Sequence, residues 1–391
     1  MNASASAAQS TLWRLGAVAL AIASAAAGDW PMFRGDAAQT GRTSATLAAA
    51  YTPLWSWKAG GGCSSVVVSG RSAVVGSADG SVHALELATG AQRWSVALGD
   101  PIQAAPTIVD GEVVIGTMGG TLARLSLTDG TIRWKFTAED KIVGAAAWFG
   151  AATERKILVG SHDSNLYCLE AATGKLVWKY STGSYVNGTP AIADLGGRAV
   201  AVVGGCDAVI HVVDLGSGKA VRTIPVSAYI AATVAVDGGR VYVGHYGNEV
   251  VCADLATGAI VWTYQDRSFP FFAAPALTAD AVVLGGRDRR IHCLERTTGK
   301  ARWTFAVRGN ADGPALVDAT SALVGTDDGR LYLLDLATGR ERWSTEIGAK
   351  IGSAPALAGD LILVGCDDGG VHAFAAGQAE PPRRQDAKGQ P

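Results

Sequence analysis

Four of the six histidines of this 391-residue sequence recur at one position, seven residues after a glycine that ends a short apolar strand: His83, His211, His292 and His372. Imidazoles at repeated positions suggest metal binding. However, four ligands must converge on one ion, and these four belong to units one, four, six and eight of a repeat. We therefore predict packing or hydrogen bonding for these rings and no metal site. His162 and His245 lie in other turns and are predicted to be solvent-exposed.

Acidic residues also recur, three positions after the same glycine: Asp79, Asp163, Asp207, Asp288, Asp328 and Asp368. Each falls in a predicted hairpin turn, where an aspartate accepts hydrogen bonds from its own backbone. The Gly216–Lys219 segment does not have the spacing of a phosphate-binding loop, and the sequence contains no HExxH, CxxCH or GxSxG motif. These patterns predict no catalytic residue.

The elements that carry these residues repeat about every forty positions. The strand glycine recurs eight times, fourteen residues later a second glycine follows in seven units, and eighteen residues later a tryptophan follows in six. The fourth unit has Arg222 in place of that tryptophan. The strand glycines are Gly76, Gly116, Gly160, Gly204, Gly244, Gly285, Gly325 and Gly365.

Each unit reads as four short strands, and the innermost strand opens with small residues and proline. The eighth unit stops before its second glycine, whereas Leu54–Lys58 has no preceding unit. We therefore predict an all-β, eight-bladed β-propeller with four-stranded antiparallel blades, in which the N-terminal strand completes the last blade and closes the ring.

Composition agrees with such a body. The chain has 50 Gly, 48% hydrophobic residues, 17% charged residues and a formal net charge of −2. The near-neutral balance excludes a binder of nucleic-acid phosphates, and the apolar content excludes a largely disordered chain.

The first residues read as a processing signal. One charged residue, Arg14, precedes the apolar run Leu15–Ile22, and small residues follow. This predicts a signal peptide over residues 1–27, cleaved near Ala25 to Ala27, and a periplasmic or secreted protein with no transmembrane segment. No cysteine lies near the predicted cleavage region, so we predict no lipid anchor. Residues 28–53 are predicted as a lead-in, 54–377 as the propeller and 378–391 as a disordered tail.

The cysteines Cys63, Cys168, Cys206, Cys252, Cys293 and Cys366 form no CxxC pair. Several occupy equivalent positions in separate blades, which lie too far apart for a disulfide. We predict that they are small buried side chains.

Loops that lead into the innermost strands converge on one mouth of the channel, and there the repeats differ. Aromatic residues enter blades four, five and six, which are neighbours, and polar residues enter the adjacent blades. An exposed aromatic patch is typical of a surface that binds a partner or ligand, although the same rings could fill the channel as core. The candidate binding residues are Gln103, Lys141, Tyr185, Asn187, Tyr229, Phe269, Phe271, Phe272, Asn310, Asp312 and Lys350.

The repeat Leu331–Gly339 followed by Trp343, and the early Asp29–Asp36 segment, resemble the propellers of the pyrroloquinoline-quinone-like (PQQ-like) family. The resemblance covers residues 29–377 and implies that a tryptophan docks each blade against its neighbour. The residues in this role are Trp55, Trp94, Trp134, Trp178, Trp262, Trp303 and Trp343.

The family contains quinoprotein dehydrogenases and the non-enzymatic BamB-like propellers of outer-membrane protein assembly. The dehydrogenases carry adjacent cysteines over the quinone, and this sequence has none. Minimal blades and absent catalytic motifs favour a non-catalytic, BamB-like, monomeric module that binds a protein partner in the cell envelope without a cofactor. The alternatives are a PQQ- and Ca²⁺-dependent oxidoreductase, and a small-ligand or carbohydrate binder that stacks its ligand on Tyr185, Tyr229 and Phe271.

Overall fold

The computed structural model describes residues 29–377, which form a ring of eight four-stranded sheets. Each sheet is antiparallel, and the first strand of each lies innermost, at the channel. The predicted β-propeller is therefore confirmed. The predicted signal peptide and the predicted disordered tail lie outside the described residues.

The first four blades follow one another along the chain. Blade 1 contains β2 (Val67–Ser69), β3 (Ser72–Gly76), β4 (Ser81–Glu86) and β5 (Gln92–Ala97); blade 2 contains β6 (Thr107–Val109), β7 (Glu112–Gly116), β8 (Thr121–Ser126) and β9 (Ile132–Thr137); blade 3 contains β10 (Ala147–Phe149), β11 (Lys156–Gly160), β12 (Asn165–Glu170) and β13 (Leu176–Ser181); blade 4 contains β14 (Ala191–Asp194), β15 (Ala199–Gly204), β16 (Val209–Asp214) and β17 (Ala220–Pro225). A single 3₁₀ turn within residues 29–377, Ala152–Glu154, joins β10 to β11.

The other four blades repeat this order, and the last takes a strand from the other end of the described chain. Blade 5 contains β18 (Ala235–Asp237), β19 (Arg240–His245), β20 (Glu249–Asp254) and β21 (Ile260–Tyr264); blade 6 contains β22 (Ala276–Leu277), β23 (Ala281–Gly286), β24 (Arg290–Glu295) and β25 (Ala301–Ala306); blade 7 contains β26 (Leu316–Val317), β27 (Ser321–Gly325), β28 (Arg330–Asp335) and β29 (Glu341–Glu346); blade 8 contains β30 (Ala356–Ala358), β31 (Leu361–Gly365), β32 (Gly370–Gly377) and β1 (Ala50–Lys58).

The ring closes through β1, which pairs antiparallel with β32 from Ala50 opposite Gly377 to Lys58 opposite Gly370. The strand begins at Ala50, not at Leu54 where the sequence placed the start of the propeller. A register shift between Pro53 and Trp55 breaks the alternation of the strand, which hid its first residues from the sequence pattern. β1 thereby covers the edge of β32, which would otherwise be unpaired.

Neighbouring blades pack face to face. Each buried apolar cluster draws its side chains from adjacent blades, as in the cluster that joins Val202 and Val212 of blade 4 to Val243 of blade 5. Valine is the most frequent side chain in these layers, in keeping with the good packing of β-branched side chains on pleated surfaces. The strand glycines lie in the same layers, where a Cβ on Gly160 would meet Val186 of the following loop.

Residues 29–49, here called the floor segment, close the channel at the end opposite the loops that enter the blades. Phe33 of this segment lines the bottom of the central cavity, and Arg34 is buried, with its Nε donating to the Gln39 carbonyl. The segment hydrogen-bonds to the innermost strands of six blades, through Trp30–Val68, Pro31–Ile108, Ala37–Ile192, Ala38–Val236, Thr40–Leu277 and Gly41–Val317. The channel is therefore a blind cavity, and the sequence did not predict this floor.

Blade docking follows the predicted tryptophans. The indole Nε1 of Trp134 donates to the Ala171 carbonyl of the next blade at 2.8 Å, and a Cβ on Gly174 would stand 2.7 Å from the same ring. The pattern recurs at Trp55, Trp94, Trp178, Trp262 and Trp303. Trp343 instead meets Tyr51 edge-on, with ring centroids 5.6 Å apart, because blade 8 ends before the equivalent turn.

Candidate functional site

A central cavity of about 570 Å³ opens at the mouth of the channel. Most of its wall is backbone and small side chains such as Ala105, Ala145, Thr189 and Ala232, because eight innermost strands crowd around the axis. Its volume lies within the range typical of small-molecule sites, roughly 300–1,000 Å³. The polar side chains that line it are those of Gln103, Asn187, Thr189, Thr233, Asp312, Lys350, Asp367, Ser64, Ser65 and Ser353.

Each loop that enters a blade presents three consecutive positions in a fixed way. The middle residue is a buried wedge that covers the strand glycine of the preceding blade; the wedges are Ile102, Ile142, Val186, Ile230, Phe271, Ala311 and Ile351. The residue after the wedge lines the cavity, as Gln103, Asn187, Phe272 and Asp312 do. The residue before it forms the outer rim, where Lys141, Tyr185, Tyr229, Asn310 and Lys350 lie.

Phe271 is such a wedge, and its inclusion in an exposed patch was wrong. It is 2% exposed and packs against Tyr264 and His292. The loop into blade 6 has one residue more than its equivalents, so Phe271 lies 27 residues after Gly244, whereas the other wedges lie 26 after their glycines. Phe271 therefore offers no face to a stacked ligand.

Exposed and half-buried aromatic side chains at the rim form what we call the aromatic ridge: His162, Tyr185, Tyr229, Tyr246 and Phe272. Tyr185 stacks on His162 with centroids 4.8 Å apart, and Tyr229 stacks on Tyr246 at 4.2 Å. Tyr246 also contacts Phe272 at 5.1 Å. Tyr185 is 49% exposed, Tyr229 41% and Tyr246 45%, so these rings stand on the surface above the channel. Phe269, 47% exposed, lies in the same loop as Phe272.

A charged sector continues the rim from the ridge. The Arg287 guanidinium lies over the Phe272 ring, 4.3 Å from its centroid, and donates to both carboxylate oxygens of Asp312. Lys350 lies 3.6 Å from Asp327 and 3.5 Å from Asp367. Burial raises the pKa of the Asp327 carboxyl, which also accepts a hydrogen bond from Asn310. Aromatic and charged residues therefore share one continuous rim.

Four rim residues were not predicted from the sequence, and each lies two residues after a strand glycine: Tyr246, Arg287, Asp327 and Asp367. The N–H at this position donates to an outer-rim carbonyl of the loop that enters the same blade, as from Tyr246 to Tyr229 at 3.1 Å. The same position holds alanine, methionine, histidine or cysteine in the other four blades, and that variation was the signal that could have found it.

Two of the recurrent histidines, His211 and His292, lie within hydrogen-bonding distance of the aspartate of their own turn and of a tyrosine of the preceding blade. His211 Nε2 lies 3.0 Å from Asp207, and its Nδ1 lies 3.0 Å from the Tyr180 hydroxyl. His83 has no hydrogen-bond partner within residues 29–377 and packs against Trp57. The prediction that His245 is exposed was wrong: its side chain is fully buried, with Nε2 3.2 Å from Glu249. It ends β19, and the longer loop that precedes blade 6 covers it.

A closed ring of eight four-stranded blades, docked by tryptophans over Thr-Gly turns, defines a PQQ-like β-propeller. The sequence profile described as outer membrane protein assembly factor BamB matches residues 10–205, 206–312 and 287–381. The chain therefore belongs to this family of PQQ-like propellers. No curated protein matches it in sequence.

Solved structures share the fold at low identity. BamB from Moraxella catarrhalis is 22% identical, with a TM-score of 0.69, covering 85% of this chain and 99% of that one. The quinohemoprotein alcohol dehydrogenase from Comamonas testosteroni is 14% identical, with a TM-score of 0.79, covering 92% of this chain and 82% of that one. The computationally designed Ika8 protein is 18% identical, with a TM-score of 0.70, covering 84% and 100%. At these identities the likeness concerns the fold alone.

Pyrroloquinoline quinone is a tricarboxylic acid, and the cavity does not fit it. Lys350 is the one cationic side chain among the described lining residues, and it already faces Asp327 and Asp367. Asp312, also in the lining, would repel a carboxylate. Cys63 and Cys366, which lie near the mouth, are not adjacent in sequence, and both are free thiols in the structure.

No helix within residues 29–377 is long and apolar enough to cross a membrane.

Proposed function

We propose that this chain is a non-catalytic, exported propeller that binds a protein partner in the cell envelope through the aromatic ridge. The observation that carries the proposal is the stack of Tyr229, Tyr246 and Phe272, capped by Arg287, on the open face of blades 5 and 6. Tyrosine and arginine are enriched among the residues that dominate binding energy at protein interfaces. A rim of this composition is therefore suited to binding the surface of a partner protein.

The cellular setting is part of the same proposal. The family takes its description from an outer-membrane protein assembly factor, BamB. The sequence predicts a signal peptide over residues 1–27 with cleavage near Ala25 to Ala27, and hence a periplasmic or secreted protein. We propose that the ridge contacts another component of an envelope assembly. The protein would act there as a monomer and without a bound cofactor.

Site-specific photo-crosslinking tests this proposal. A photoreactive residue is placed at Tyr229 on the ridge, or at Leu176, which is 50% exposed on the outer strand β13, as a matched control. We expect one discrete crosslinked species in intact envelopes from position 229 and none from position 176. Adding Tyr246→Ala should abolish the species. Equal crosslinking from both positions, or none from either, would contradict the proposal.

A quinoprotein oxidoreductase is the second candidate, supported by the volume of the cavity and the shared fold. The charges of the lining oppose it, as described above. Calorimetric titration of the mature chain with PQQ, with and without Ca²⁺, separates the two functions. We expect no binding heat; tight binding with substrate-dependent dye reduction would overturn the non-catalytic proposal.

A further inference from the structure

Three side chains with metal-binding atoms meet at the upper edge of blade 6, away from the central cavity. Asp266 follows β21 of blade 5, Asp288 lies in the turn between β23 and β24, and His292 lies on β24. One ligand atom from each lies within 4.8 Å of the other two.

Asp288 differs from three of the aspartates at the same position in other blades, and also from Asp328, which accepts a hydrogen bond from the Thr326 hydroxyl. Asp79, Asp163 and Asp207 each accept an N–H from the loop that precedes their turn, at 2.7–3.0 Å. They also each accept an N–H from within the turn itself. These amides neutralise much of the carboxylate charge.

Asp288 accepts a hydrogen bond from neither of these two kinds of backbone N–H. Its side chain is 3% exposed, its Oδ1 lies 3.2 Å from His292 Nε2, and its Oδ2 accepts no hydrogen bond from residues 29–377. The loop into blade 6, which carries Asp266, has one residue more than its equivalents, and the Asp266 carboxylate lies within 4.8 Å of Asp288. The exposed Asp266 carboxylate thus lies beside the buried Asp288 carboxylate, and two neighbouring carboxylates repel each other unless a cation lies between them.

His292 is oriented for coordination. Its Nδ1 lies 3.1 Å from the Tyr264 hydroxyl, which leaves Nε2 facing the two carboxylates. A histidine ligand in proteins is held in this way by a hydrogen bond on its other nitrogen. Arg290, the neighbouring cation, lies 3.9 Å from Asp266 and donates to Thr304 on the outer side of the blade.

We propose that Asp266, Asp288 and His292 form a binding site for one divalent transition-metal ion, of the class of Zn²⁺ or Mn²⁺. An imidazole with two carboxylates suits these ions. The ion would tie the loop that leads into blade 6 to the β23–β24 turn. That loop carries Phe269, Phe271 and Phe272, so the site would fix the position of one end of the aromatic ridge.

Calorimetric titration tests the site directly. The chain is dialysed against a chelator and titrated with ZnCl₂ or MnCl₂; we expect one ion bound per chain. Asp266→Asn, an exposed substitution that leaves the core intact, should weaken binding by about tenfold or more, since even partners of ligands contribute about 10–100-fold. Tyr264→Phe, which removes the positioning hydrogen bond, should weaken the measured affinity to a smaller degree.

Asp207→Asn is the matched control. Asp207 is the residue of blade 4 that is equivalent to Asp288, and its environment lacks a second acid. Its binding should equal that of the unmodified chain. Absence of binding heat with both ions, or equal affinities for the unmodified chain and Asp266→Asn, would overturn the site.

Discussion

The side chain of Arg222 lies against Gly258 of the next blade, where the other blades place an indole. Its Cδ lies 2.9 Å from the point at which a Cβ on Gly258 would stand. The guanidinium donates to the Thr257 carbonyl at 3.0 Å and to the Ala256 carbonyl at 2.6 Å. The fourth blade is therefore docked by a cation in place of a tryptophan.

Removing that cation should weaken the junction between blades 4 and 5. We expect Arg222→Ala to lower the free energy of unfolding by about 1–2 kcal/mol, because two charge-assisted hydrogen bonds at a partly exposed site are lost. Arg222→Trp should restore the stability, since Leu255 offers the carbonyl that accepts an indole N–H in other blades. Urea unfolding of the three proteins measures this; a less stable Trp variant would contradict the equivalence of the two docking modes.

A glycine that lies under a docking indole has two separable roles: it adopts a left-handed backbone conformation, and it leaves room for the ring. Gly174 has φ +71° and supports Trp134, whereas Gly70 has φ +55° and open space around it. Gly70→Ala should cost about 1 kcal/mol for the left-handed backbone alone. Gly174→Ala should lower the free energy of unfolding by about 1–3 kcal/mol more than Gly70→Ala does, because the indole of Trp134 must move. Urea midpoints of the two variants give the difference, and equal losses would show that the indole contact adds nothing.

The chain should lose stability on mild acidification. Burial lowers the pKa of His83, His211, His245 and His372 below the usual value of roughly 6.5. The unfolded chain therefore binds more protons, so stability is present above about pH 6.5 and falls as the pH drops towards the folded-state pKa values. Urea midpoints between pH 8 and pH 5 measure this fall.

His245 is the position at which to test that mechanism. Its Nδ1 accepts the Gly247 N–H at 3.1 Å, so protonation of that nitrogen would break the bond. His245→Gln should flatten the dependence of the urea midpoint on pH, whatever its effect at pH 8. A stability that rises on acidification, or a slope unchanged in the variant, would contradict the assignment.

The thiols should differ sharply in reactivity. Burial raises the pKa of Cys168 and Cys366 to about 12, whereas Cys206 is partly exposed, beside Asn187 at the rim. Thiolates react and buried thiols do not. We expect Ellman's reagent to titrate a single thiol in the native chain and six in denaturant, with Cys206→Ser abolishing the native reaction. Rapid reaction of several native thiols would show that the blades open readily.

The ring could be predicted from the sequence because each blade can be aligned with the seven others. Strand glycines, Thr-Gly turns and docking tryptophans keep a constant spacing along the chain. In the structure each of these residues makes a contact that explains why its residue type recurs. The floor segment has no equivalent within the chain, so periodicity could not place it. Phe33 and Arg34 carry no pattern that shows them at the foot of the channel.

The candidate site was harder to predict for a related reason. Tyr185, Tyr229 and Phe272 were assigned to the mouth from their place in the repeat, and the structure puts them there. Phe271 was misplaced because one inserted residue exchanged the wedge and the lining positions. Tyr246 and Arg287 reach the rim from a different turn, and only three-dimensional packing brings them against Tyr229 and Phe272.

The pairing of β1 with β32 sets an order of events in folding. Residues 50–58 have no partner until residues 370–377 are available, although the strands of the other seven blades pair with near neighbours in sequence. Contacts between distant segments form slowly, because the loop between them must first be closed. The last blade is therefore the step that completes the molecule. Until then β1 is an unpaired edge strand, and a chain released before that step would be open to aggregation.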